Sequence, residues 1–162
     1  MKVDVKKEYH ELFEASAKAI DTVDVPEFQF LMIDGIGNPE VAEFKQKSKA
    51  LNLLAKAIRA YYKEQDDINY LISPLEGMWD TYDNAKFDVT RKKMIRYTLM
   101  LSQPKFLTEE VFEKVKESLA KKKGNLYVKE IYLRKFTEGK SVQMLHIGPY
   151  NTEIMTTKEI ME

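Results

Sequence analysis

Hydrophobic positions change their spacing several times along this chain, and each change marks an element. Tyr9, Leu12, Phe13, Ala19 and Ile20 fall at helical spacing, which predicts a peripheral helix or ordered arm within residues 1–25, ending at Pro26. Phe28-Gln29-Phe30-Leu31-Met32-Ile33 is short, apolar and aromatic. Asp34-Gly35-Ile36-Gly37-Asn38-Pro39 closes it, the composition of a buried strand and its turn. Beyond Pro39 the apolar steps become those of a helix: Phe44, Ser48, Leu51, Leu54, Ala55, Ile58 and Tyr62 share one stripe. This predicts a long helix from Glu40 to Glu64, capped by Asn38, with Pro39 in its first turn and Lys and Glu on its outer face.

Ile68 to Ser73 reads as a strand that continues across Pro74 to Trp79, and Asp80 to Asp88 as a polar connection. Lys93 to Leu101 is a further strand, stopped by Gln103-Pro104. Thr108 then caps a helix whose stripe is Val111, Phe112, Val115 and Leu119. It ends at Lys121-Lys122-Lys123-Gly124-Asn125, with cations where the helix dipole favours them. Tyr127 to Phe136 alternates as a strand, Glu138-Gly139 reads as a tight hairpin turn with Val142 to Ile147 as its partner strand, and a helix begins near Asn151.

Two blocks in this order are alike. Phe30 to Gly35 followed by a helix parallels Met144 to Gly148 followed by a helix. Two readings stay open on the pattern alone. One is a repeat whose second copy stops before its helix and return strands are complete, leaving an open sheet edge and an exposed apolar face. The other is a pair of unrelated strand–turn–helix joints.

Composition narrows the function classes. The chain's 162 residues suit one domain, or two small repeats sharing a core. Its 26 Lys and Arg balance 26 Asp and Glu, so no global field draws it to nucleic acid or an anionic membrane. The lack of cysteine excludes disulfides and thiol chemistry, and with only His10 and His146 a metal centre is not expected. The N-terminus has no apolar signal region, and no apolar run nears the roughly 18 residues of a membrane span. These features describe a cytoplasmic protein, monomer or homodimer, with no direct nucleic-acid or membrane partner and no cofactor.

Four segments in order carry a family resemblance: Pro26-Glu27-Phe28-Gln29-Phe30-Leu31-Met32-Ile33-Asp34-Gly35; Pro74-Leu75-Glu76-Gly77-Met78-Trp79; Tyr97-Thr98-Leu99-Met100 with Gln103-Pro104; and Val142-Gln143-Met144-Leu145-His146-Ile147-Gly148-Pro149-Tyr150. Together they resemble the GyrI-like (gyrase-inhibitor-like) small-molecule-binding family, from about Lys6 onward. The resemblance implies an α+β fold of tandem strand–helix–strand–strand (SHS2-like) units with antiparallel sheets, related by pseudo-two-fold symmetry, with a ligand groove between them. On that reading residues 1–25 are an arm and 26–162 the domain. The first unit is 26–104, the connecting helix 108–122, and an apparently truncated second unit 126–162. Relatives include drug-binding domains of multidrug-responsive regulators, gyrase-modulating proteins, and stand-alone hydrolases of cyclopropane-bearing DNA-alkylating compounds. With no DNA-binding helix-turn-helix, the chain is most similar to the stand-alone group. It departs from the pattern at Asp80, where relatives often carry a second Trp, and at Ile95-Arg96-Tyr97-Thr98, where close relatives have Trp-x-Trp-Thr. The acidic pocket residue that relatives supply from the second unit has no counterpart here.

The candidate chemistry follows from these segments. Glu76, between Leu75 and Gly77, is a candidate general acid or base if desolvated, and otherwise a solvent-facing strand residue. His146 is a candidate base or donor, or else a satisfied, half-buried histidine. Trp79, the single tryptophan, could stack on a planar ligand or sit in the core. Tyr150 could reach the groove mouth or staple a helix start. Tyr70, Tyr97 and Met100 complete the ligand-binding candidates, in a chain whose methionines and tyrosines suit an adaptable cavity as well as ordinary core packing. Three functions follow: a GyrI-like protein binding apolar or cationic xenobiotics and hydrolysing cyclopropane-bearing ones, a non-catalytic drug-sequestering or sensing protein, and an interaction module acting on a topoisomerase.

Overall fold

The structure, a computed structural model, describes residues 2–83, 91–122, 126–149 and 152–161. Its elements are β1 (Lys2–Val3), the single-turn helix α1 (Val5–Glu8), β2 (Asp21–Ile36), α2 (Ala42–Asp66), β3 (Asn69–Tyr70), β4 (Glu76–Thr81), β5 (Ile95–Gln103), α3 (Glu109–Ala120), β6 (Tyr132–Gln143) and α4 (Glu153–Met161). The class is α+β. Strands β4, β5, β2 and β6 form one sheet in that order, with β5 antiparallel to both neighbours, while β1 and β3 form a separate parallel pair. The chain divides into two compact units, one of residues 1–3 and 28–135, the other of 4–27 and 136–162. No helix among the described residues is long and apolar enough to cross a membrane.

In the first unit, α2 buries the stripe read from its sequence. Leu51, Leu54, Ala55, Ile58 and Tyr62 join Leu31 and Ile33 of β2, Leu99 and Leu101 of β5, and Phe112, Val115 and Leu119 of α3 in one core. Each buried Leu, Ile or Phe contributes about 1.5–3 kcal/mol. Phe30 and Met32 are also buried, although they alternate onto the opposite side of β2. Apolar residues on both faces explain why Phe30 to Ile33 reads as an unbroken run. Thr108 caps α3 as expected, its hydroxyl accepting from the Val111 N–H at 3.3 Å.

Several boundaries differ from the sequence pattern. The N-terminal stretch forms one turn of α1 and a 3₁₀ turn at His10–Leu12 instead of a helix through Ile20; helices this short are marginal by themselves. Asn38 caps a turn, not α2: its Oδ1 accepts from the Glu40 N–H at 3.0 Å, and the helix opens at Ala42 without a side-chain cap. Pro74, which lacks an N–H, separates β3 from β4. Val128–Glu130 forms a 3₁₀ turn ahead of β6. Glu138-Gly139 makes no hairpin: β6 runs unbroken through it, with Gly139 at φ 74°, a kink that glycine absorbs without reversing the chain. Met144 to Ile147 then leads to α4 without forming a strand.

Gly35 packs directly against the ring of Tyr97. They are register partners, and a Cβ at position 35 would lie 2.1 Å from Tyr97 Cζ. Gly35→Ala should therefore lower stability by about 1–3 kcal/mol, the usual cost of overpacking. In a Tyr97→Leu background the same change should cost far less. Urea unfolding of the four proteins in this cycle checks the coupling, and an equal cost in both backgrounds would refute it.

Candidate ligand-binding face

The β4–β5–β2 register sorts side chains onto two sides. Gly35, Gly77, Trp79, Tyr97 and Leu99 alternate toward α2, while Asp34, Glu76, Met78, Asp80, Arg96, Thr98 and Met100 alternate to the opposite side. Phe44 of α2 marks the helix side, its ring 5.1 Å from Tyr97 and 5.9 Å from Trp79. Gly77 matters here because a Cβ would come within 2.9 Å of Trp79 Nε1, so its absence lets the indole lie along the strand.

A cleft of about 350 Å³ lies among these strands, lined by Asp34, Gly35, Ile36, Met78, Trp79, Asp80, Tyr82, Arg96, Tyr97 and Thr98. Its size is that of a small-ligand pocket. Asp34 Oδ1 accepts from Thr98 Oγ1 at 2.6 Å and from the Tyr132 hydroxyl at 3.1 Å. Burial, reinforced by the Asp34 charge and hydrogen bond, pushes the Tyr132 phenol up to about 12. Tyr132 is therefore a neutral donor at physiological pH. Asp80 and Arg96, directly opposite across β4 and β5, form an ion pair in which both Arg96 Nε and Nη2 donate to Asp80 Oδ2. The Arg96 bond, with help from the Thr81 N–H, holds the Asp80 carboxyl below its usual range.

Behind this cleft, Lys47 of α2 is buried. Its Nζ donates to the Asp34 backbone carbonyl at 2.7 Å and pairs with Glu43 at 2.8 Å. Burial opposes its charge, but Glu43, Tyr97 and Glu130 together raise its pKa. The outer-face assignment of the α2 lysines thus fails at Lys47, because its long stem crosses to the end of β2.

The seven candidates read from the sequence scatter. Trp79 and Tyr97 come together, ring centroids 5.7 Å apart, and both line the cleft. Glu76 and Met100 are register partners on the side away from α2. Glu76 is exposed, so the described residues do not desolvate it, while Met100 is buried. Tyr70 sits in the core against Phe106, where burial raises its pKa and its hydroxyl finds no hydrogen-bond partner among the described residues. His146 belongs to the second unit. Its Nδ1 is 2.9 Å from Thr156 Oγ1, and its Nε2 is 3.3 Å from both the Pro149 carbonyl and Thr152 Oγ1. Both ring nitrogens are engaged in tying the start of α4 to the segment before it. Tyr150 lies outside the described residues. Asp34, Thr98, Arg96, Lys47 and Tyr132 were not among the candidates. A signal existed for the first, since Asp34 shares the parity of Met32 and, one residue before a glycine, need not belong to the turn alone. Among the described residues no group of His, Asp or Glu is placed to hold a metal ion.

No known family's profile matches the chain, and no curated protein matches it. Solved structures do. An uncharacterized conserved protein from Listeria innocua is 33% identical with a TM-score of 0.87, over 98% of this chain and 78% of that one. A hydrolase from Listeria innocua is 30% identical with a TM-score of 0.82, over 98% of this chain and 81% of the other. A further hydrolase from Listeria innocua is 32% identical with a TM-score of 0.85, over 99% and 79%.

Two outcomes follow from this geometry. Because the Tyr132 pKa rises on folding, its stabilising contribution is complete below the unfolded value of 10.0 and is lost as the pH climbs through about 12. Alkaline titration at 295 nm should lose one late-titrating phenol in Tyr132→Phe, whereas loss of an early one would contradict the burial. His146→Ala should cost about 0.5–1.5 kcal/mol by removing its hydrogen bonds. Hydrogen exchange should show faster opening in α4, and unchanged protection there would remove its role as a tie.

Proposed function

We infer, for a chain that belongs to the same family as these Listeria innocua proteins, that it is a GyrI-like small-molecule-binding protein with hydrolytic activity. The observation that supports this best is the cleft on the first unit's sheet, which has Trp79 and Tyr97 in its wall, the exposed ring of Tyr82 and the side chain of Met78 at its surface, and the carboxylates of Asp34 and Asp80. Aromatic surface favours planar apolar ligands, and carboxylates favour cationic ones. Two of the similar structures are named hydrolases, which supports turnover rather than storage.

The substrate class is an apolar compound with a strained cyclopropane conjugated to a carbonyl. Glu76, which shares its side of β4 with the cleft residues Met78 and Asp80, is the general base in this reading. Its carboxylate takes a proton from water as the water oxygen bonds to a ring carbon. The strained C–C bond breaks, its electron pair passes into the conjugated carbonyl system, and that system takes a proton. The net change is addition of one water. His146, hydrogen-bonded through both ring nitrogens ahead of α4, is a positioning residue in this reading.

Purified protein incubated with a cyclopropane-bearing alkylator should yield many equivalents of a product heavier by one water. Glu76→Gln should reduce the rate about 100-fold or more, the usual weight of a general base, and ligand should still quench Trp79 fluorescence. Stoichiometric quenching without product would make the protein a sequestering one. A bound partner protein with neither quenching nor product would make it an interaction module.

A further inference from the structure

We propose that Asp34 is the charged anchor of this cleft and selects ligands that carry a protonated amine or amidine. The proposal rests on reading the cleft as the ligand site. Two carboxylates line it, and they are differently engaged. Asp80 is neutralised by Arg96, its cross-strand partner. Among the described residues the Asp34 side chain meets neutral donors, the hydroxyls of Thr98 and Tyr132. Among the described residues no cation is ion-paired to its side chain. The nearest buried cation, Lys47, bonds to its backbone carbonyl and has its charge answered by Glu43 and, at 3.8 Å, Glu130. Arg134 lies within electrostatic reach of Tyr132 but makes no ion pair with Asp34.

The hydrogen bonds are lopsided in a way that fits an anchor. Oδ1 takes both short bonds, while Oδ2 has a single contact of 3.3 Å to Tyr132. A carboxylate has about four acceptor sites, so Oδ2 keeps capacity for a charged N–H donor, the kind of bond that is about twice as strong as a neutral one. Thr98 and Tyr132 act as positioning residues, locking the carboxylate's rotation from one side. Ile36 and Met78 offer apolar surface for the rest of the ligand.

The test uses three probes of one shape and different charge: benzamidine (cationic), benzamide (neutral) and benzoate (anionic). Calorimetry and Trp79 fluorescence on the full chain should show benzamidine binding about 10-fold or more tighter than benzamide, with benzoate weakest. Raising the salt concentration should narrow the gap. Asp34→Asn, isosteric and still able to accept from Thr98 and Tyr132, should abolish the preference for benzamidine over benzamide. Tyr132→Phe should weaken benzamidine a few-fold and keep the preference. Equal affinity for all three probes, each quenching Trp79, would sink the anchor and leave the cleft standing. A preference unchanged in Asp34→Asn would do the same. Failure of every probe to bind or quench would sink both.

Discussion

Gly35 and Tyr97 face each other across β2 and β5 so closely that no side chain fits between them. The contact fixes which strand residues look toward α2 and which look away. A slip of one residue would turn Asp34, Thr98 and Arg96 into the core and Leu31, Ile33 and Leu99 out of it, reversing both burial and chemistry. A side chain is missing at Gly35 and again at Gly77, and in each case an aromatic ring occupies the space. The aromatic group of Phe44, Trp79 and Tyr97 is thus also a lock on strand register.

That lock explains what could and could not be read from the chain. The α2 stripe and the Thr108 cap were legible because each depends on residues within a few positions of one another. The limits of β3 and β4 were not, because Pro74 interrupts an apolar run whose continuity depends on strand partners distant in sequence. Gly139 misled for a related reason: positive φ serves a kink as well as a turn, and only the neighbouring strand decides. The site was less legible still. Glu76 and Trp79 differ by an odd number of residues, as do Tyr97 and Met100, so no straight strand could put either pair on one face. Asp34 and Tyr132 stand 98 residues apart, and nothing local announces their bond.

The segment His146-Ile147-Gly148-Pro149 shows a different limit. It is distinctive as sequence, yet its chemistry is turned inward. Gly148 has φ 148°, and a Cβ there would lie 3.0 Å from Thr152 Oγ1 and 3.3 Å from His146 Nε2. Pro149 presents its carbonyl to both the Thr152 hydroxyl and the imidazole. His146, Gly148 and Pro149 serve one close junction ahead of α4, through backbone geometry and hydrogen-bond satisfaction. A histidine in such a junction has both ring nitrogens committed to local hydrogen bonds.

Asp34 joins these strands of argument. Its peptide carbonyl receives Lys47 from the helix side, while its carboxylate receives Thr98 and Tyr132 on the other. Core and cleft are therefore connected through a single residue. Withdrawing Lys47 would leave the Asp34 carbonyl short of this donor and loosen the end of β2. Such support from behind is what holds a binding group within the small tolerance that recognition requires. It also divides the labour between charges: the buried cation stabilises the backbone, and the exposed anion is left to meet a ligand. The same peptide thus carries a structural bond on one face of the sheet and a chemical function on the other.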